Sequence, residues 1–134
     1  MLLILDGSSK VAQAAIANLI IKRRGAWRHL PPSDFATIIE QFGLPVEGNS
    51  ALAGMLFMEC VRTLEEEGGH VIQPSHHLPA ELDDLRGDGC MVIYVGKDPE
   101  DAEGYDHVVE TDNRTAEGIF EALLPVLEAA EKGS

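Results

Sequence analysis

The residues best placed to do chemistry in this chain lie at its start. Asp6-Gly7-Ser8-Ser9-Lys10 follows the apolar run Leu2–Leu5 and precedes an Ala-rich stretch. A glycine-bearing turn that leads from a strand into a helix exposes backbone N–H groups at the positive end of a helix dipole, a setting that suits a phosphate. Lys10 adds a cation to it. A second chemistry is open to the same turn. Asp6 closes the first strand, and Asp98 and Asp112 each follow a later one, so three carboxylates could gather a divalent metal for hydrolysis. The histidines carry less. His70, His76 and His77 lie close in sequence, but adjacent residues of an extended chain point to opposite sides, so His76 and His77 do not readily share one ion, and no carboxylate or cysteine stands at ligand spacing. We expect no metal held by histidine. A Ser8 or Ser9 pair with His76 would lack the strained elbow that activates a serine.

The elements that must hold these residues read as follows. Leu2–Leu5 is a buried strand. Val11–Ile21 is a helix with Val11, Ala15 and Leu19 on its apolar face, closed by Lys22–Arg24 and Gly25. Trp27–Leu30 is a short strand stopped by Pro31-Pro32. Ser33 caps the next helix, whose stripe is Phe35, Ile38, Ile39 and Phe42. Ser50 caps a helix over 51–67 with Leu52, Met55, Leu56, Cys60 and Leu64 inward, ended by Gly68-Gly69. His70–Gln73 is a strand, Pro79 opens a short helix at Ala80–Arg86, and Cys90–Val95 is a β-branched strand. His107–Glu110 is the last strand, and Ile119, Leu123, Leu127 and Ala130 share one face of a closing helix that Pro125 should kink.

Strands apolar on both faces and alternating with helices predict a parallel sheet covered on both sides. The expectation is one domain over residues 1–134: a three-layer α/β/α fold with a five-stranded, mostly parallel sheet. In such sheets ligands bind outside the carboxyl ends of the strands. That singles out the loops Asp6–Lys10, Gln73–His77, Gly96–Pro99 and Thr111–Thr115.

The order of several segments resembles that of the small nucleoside-monophosphate kinases, especially the deoxynucleoside-monophosphate kinases, with their P-loop fold. "WRHLPPSDF" (27–35) is similar to their second strand and the helix start after it. "HVIQPSHHLPAELDDLR" (70–86) resembles their strand, loop and "P-x-E-x-x-x-L" helix. "MVIYV" (91–95) resembles the next strand, and "YDHVVETDNRTAEGIFEALLPVL" (105–127) the closing strand and helix. The resemblance spans nearly the whole chain and implies a nucleotide, with magnesium, as ligand. The departures sit where phosphate is handled. With Gly7 on the first glycine of G-x-x-x-x-G-K-[ST], the second glycine becomes Ala12, the lysine Gln13 and the hydroxyl Ala14. Lys10 comes three residues early. The Arg-rich lid is replaced by "GKDPEDAEGY" (96–105), and the arginine before the "P-x-E" helix by His76-His77. One arginine finger is worth roughly 10³–10⁵ in rate, so these losses together predict a kinase-like domain without efficient phosphotransfer, turned to binding or regulation. Its ligand, a nucleotide or other phosphorylated small molecule, would lie over Gly7–Lys10, with Asp34, Asn113 and Arg114 at the edges. Two alternatives stand beside this reading. One is a divergent active nucleotide or small-molecule kinase. The other is a metal-dependent nuclease, because "LLILDGSS" also resembles the opening of PIN- and NYN-type nucleases.

Composition bounds the partners. The 134 residues carry a net charge of −13, made of +1 over residues 1–50 and −14 over residues 51–134. Such a surface repels duplex nucleic acid. The one basic cluster, "KRRGAWR" (22–28), reads as cations at a helix C-terminus, with an anion contact as the alternative. The opening apolar run ends too soon for a secretory leader, and no run reaches the ~20 residues of a membrane span. Cys60 and Cys90, inside apolar stretches, are expected to be buried free thiols of a cytoplasmic protein. Leu44, Val46 and Trp27 offer an apolar patch through which a second copy could form a homodimer.

Overall fold

A computed structural model describes residues 1–7, 9–45, 48, 50–75, 90–96, 104–111 and 115–132. The chain runs β1 (Leu2–Asp6), α1 (Lys10–Arg23), β2 (Trp27–Arg28), α2 (Pro32–Gln41), α3 (Ser50–Glu66), β3 (His70–Pro74), β4 (Cys90–Gly96), β5 (His107–Glu110) and α4 (Ala116–Lys132). The strands form one sheet in the order β2-β3-β1-β4-β5. Every pairing is parallel. The three-layer α/β/α architecture expected from the sequence is therefore present. The short helix expected at Ala80–Arg86 lies outside the described residues.

The topology explains the layers. From β1 the chain passes over β3 to reach β2, then returns to β3. Right-handed crossovers in opposite directions place their helices on opposite faces. Alternation along β1 serves both. Leu3 and Leu5 face a core shared with α1 and α4, through Ile16, Ile20, Phe120 and Leu123. Leu2 and Ile4 face a second core with α2 and α3, through Phe35, Phe57 and Val61. A strand buried on both sides must be apolar at every position, which is why β1 reads as a continuous run.

Several local expectations are corrected. On α1 the buried stripe is Gln13, Ile16, Ala17 and Ile20, while Val11 is 82% exposed. On α3 it is Phe57 and Val61 that are buried, whereas Met55, Cys60 and Leu64 are exposed. Both helices are apolar around much of their circumference, so periodicity alone left the inward face open. On α2, Phe35 and Ile39 are buried, but Ile38 and Phe42 are exposed. That helix starts earlier than Ser33: Pro31 stands at the N-cap without a side-chain cap and Pro32 opens it. Proline's fixed φ and missing N–H suit that first turn.

Neither thiol is deeply buried, Cys60 being exposed and Cys90 intermediate. Trp27 is 0% exposed and cannot belong to a dimer patch. It lies under the His70 ring, with centroids 4.8 Å apart. Leu44 is exposed, and Val46 lies outside the described residues. Pro125 stands within α4, where Ile119, Leu123 and Leu127 are buried as expected. Among the described residues no helix is long and apolar enough to cross a membrane.

Candidate functional site

β1 is the central strand, and its carboxyl end delivers Asp6 between β3 and β4, level with Tyr94. The next residue, Gly7, takes φ +146°. A Cβ there would overlap the Val95 carbonyl oxygen. Only glycine fits this close crossing of two backbones. Ser9 then caps α1: its Oγ accepts the Ala12 N–H at 3.2 Å. Lys10 is the first helical residue and is exposed.

The polar groups of this edge converge on Asp6. The Ser75 hydroxyl, just past β3, donates to Oδ1 at 2.9 Å. The Tyr105 hydroxyl, from the segment entering β5, donates to Oδ2 at 2.8 Å. The Tyr105 ring packs on Tyr94, with centroids 5.1 Å apart. Gln13 completes the group from α1. It is almost fully buried, and its Nε2 donates to the Gly7 carbonyl at 2.8 Å. Its Oε1 lies 3.4 Å from the Ser75 hydroxyl. One carboxylate thus ties the segments that follow β3 and precede β5 to the end of β1, and hydrogen bonds to a charged acceptor are the stronger kind.

Of the residues singled out from sequence, Asp6, Gly7, Ser9 and Lys10 share this edge. Ser8, Asn113 and Arg114 lie outside the described residues, as do Asp98, Asp112, His76 and His77 of the alternative readings. Asp34 is exposed in the first turn of α2, where its N–H donates to the Pro31 carbonyl at 3.2 Å. Among the described residues it makes no hydrogen bond to the Asp6 network. His70 begins β3, at the opposite end of the sheet from Asp6, and burial holds its imidazole below the usual histidine range, with the Met1 ammonium adding to the effect. Among the described residues no group of three His, Cys, Asp or Glu could hold a metal ion.

The sequence reading passed over Ser75 and Tyr105 as partners of Asp6, and Gln13 as the side chain that joins Ser75 to the Gly7 carbonyl. A signal existed for Gln13, the lone amide in "VAQAAIA" at the position where the motif asks for lysine. No comparable signal marks Ser75 or Tyr105, because both reach Asp6 across long sequence separations.

The basic cluster resolves differently. Arg23 donates to Glu117 of α4 at 2.6 Å. Arg24 pairs with Glu131, whose Oε1 also accepts the Trp27 indole N–H at 3.0 Å. The Arg24 guanidinium, helped by that indole, holds the Glu131 carboxyl below the usual carboxylate range. These cations are engaged in fixing α4 to α1.

No family model, curated protein or solved structure matches the chain.

Proposed function

We propose that this chain is a nucleotide-kinase-like domain with a degenerate phosphate-binding loop, acting as a binding or regulatory protein of the cytoplasm rather than as a phosphotransferase. The observation that carries the reading is the side chain of Gln13. It stands where the phosphate-binding motif places its lysine, and it turns back onto the Gly7 carbonyl. The motif asks for a cation there; the buried amide is neutral and closes the turn from below. Phosphoryl transfer rests almost wholly on positioned cations, and Asp6 brings a carboxylate to the same edge. Lys10 is the cation of the turn, and Mg²⁺ would offset Asp6 beside a bound phosphate.

The strand order supports the same reading. It sets β1 in the centre, with a glycine turn and a helix N-terminus at its carboxyl end, where ligands of open parallel sheets bind. A nucleotide or other phosphorylated small molecule would lie over Gly7–Lys10, with Asp34, Asn113 and Arg114 at its margins. The exposed thiol of Cys60 suits a reducing compartment.

A thermal-shift screen of nucleotides, with and without Mg²⁺, tests this. A ligand at about 100 times its Kd stabilises by ~2.7 kcal/mol. Stabilisation without turnover, weakened by Lys10→Ala, is the expected result. Turnover that needs Mg²⁺ would restore an active kinase. Silence toward every nucleotide would remove the ligand and leave a protein-binding role.

A further inference from the structure

The opposite side of the molecule carries a feature that the nucleotide reading does not use. Among the described residues β5 is the edge strand of the sheet. Its sequence, His107-Val108-Val109-Glu110, contains neither the proline nor the lysine with which edge strands are commonly protected. The other edge, β2, is two residues long, and shortness is itself a protection. The Asp106 N–H donates inward, to the Val92 carbonyl at 2.9 Å. Val92 also turns its N–H to this side, donating to the Asp106 carboxylate at 2.7 Å, and the Gly96 carbonyl accepts the Thr111 N–H at 3.2 Å. By the alternation of a parallel ladder His107 and Val109 face β4, and Val108 and Glu110 turn their N–H and C=O groups to the open side.

α4 shapes the space beside that edge. Next to its buried stripe of Ile119, Leu123 and Leu127 runs a second apolar stripe, Ala122, Pro125, Val126 and Ala129, at the i, i+3, i+4, i+7 spacing of one helix face. Two depressions lie along it. One, of about 480 Å³, lies between α4 and β5. The other, of about 380 Å³, continues past Pro125 and Ala129 toward Met1 and Met91. They share His107 and Val126 as a common wall. Open backbone groups on one side and an apolar helix face on the other are what strand addition requires, the backbone giving affinity and alternate side chains filling the groove.

Charge selects the occupant. Glu110 lines the groove, and the C-terminal part of the chain carries a net −14 over residues 51–134. A second copy fits badly. A two-fold pairing of β5 with itself opposes residues of the same face. Centred on Val108, it sets Asp106 of one copy against Glu110 of the other; centred on Val109, it sets Glu110 against Val108. We propose that the free edge of β5 and the apolar stripe of α4 form a docking site for an extended segment of a partner protein, with alternating apolar residues and basic flanks.

The test titrates the intact protein with three synthetic peptides. One is Lys-Lys-Val-Thr-Val-Thr-Val-Lys-Lys, the second replaces the lysines by glutamates, and the third carries N-methyl groups on alternate residues along its pairing edge. The expected result is saturable binding of the first, with slowed amide exchange at Val108 and Glu110. The other two peptides should bind roughly tenfold more weakly or worse. Ala122→Arg, at an exposed position in the groove, should weaken the first peptide similarly while leaving the melting temperature nearly unchanged. No binding by any peptide would overturn the proposal, as would equal binding of the acidic or N-methylated one. Concentration-dependent dimerisation that protects the same amides without peptide would assign the edge to a second copy instead.

Discussion

A single glycine fixes the geometry on which the candidate site depends. Gly7 combines a positive φ with the absence of room for a Cβ beside the Val95 carbonyl. Gly7→Ala therefore meets backbone strain and overlap at once, and each costs about 1–3 kcal/mol. Urea unfolding should show a loss of that size, with the m-value unchanged. His70 supplies a second residue-level expectation. Burial depresses its pKa below 6.5, so the unfolded chain takes up a proton that the folded chain refuses. Stability from this group is complete above the unfolded value and falls as the pH drops below 6.5 toward the folded pKa. His70→Phe preserves stacking on Trp27 and removes the titration. The decline in urea midpoint between about pH 7.5 and pH 5.5 should shrink in that variant.

At the scale of elements, α4 is held to α1 and β2 by one carboxylate with several donors. Glu131 accepts from Arg24 and from the Trp27 indole. Glu131→Gln replaces a charged acceptor by a neutral amide, and a loss of roughly 1–3 kcal/mol is expected. The sign with pH follows from the depressed folded pKa. The contribution is present above the ordinary value of 4.5 and disappears as the pH falls through the lower folded value. Wild type and variant should thus converge in melting temperature under acid conditions.

The same elements mark what could be read in advance. β1, β4 and the buried residues Ile119, Leu123 and Leu127 of α4 were legible because their patterns are strong: a continuous apolar run, a β-branched run and a stripe of large aliphatic side chains. The inward faces of α1 and α3 were not, since each offers apolar residues on several sides. Packing against the two faces of the sheet made the choice. Trp27 was misplaced for a related reason. Its sequence neighbours are cationic, but the groups that cover it, His70 and Glu131, are 43 and 104 positions away. The site was half legible: the turn after β1 announced itself, but the partners of Asp6 come from segments that only the sheet brings together.

For the whole molecule, a net charge of −13 on 134 residues means that the compact state works against its own repulsion. Raising salt from about 20 mM to about 500 mM shortens the screening length several-fold. The melting temperature should rise with sodium chloride, even though the Arg23–Glu117 pair is weakened. A fall would show that the ion pairs outweigh the repulsion. The same acidity opposes a ligand of several phosphates unless a divalent cation accompanies it. Among the described residues two distinct surfaces then stand out: the carboxyl edge of the sheet around Asp6, and the flank of β5 beside α4.

The most direct measurement is transfer of a labelled terminal phosphoryl group from Mg·ATP to a panel of nucleoside monophosphates, with the wild type and Lys10→Ala side by side. A turn closed by Gln13 should give no product above the protein-free blank in either protein. Multiple turnovers by the wild type, lost in Lys10→Ala, would contradict the account.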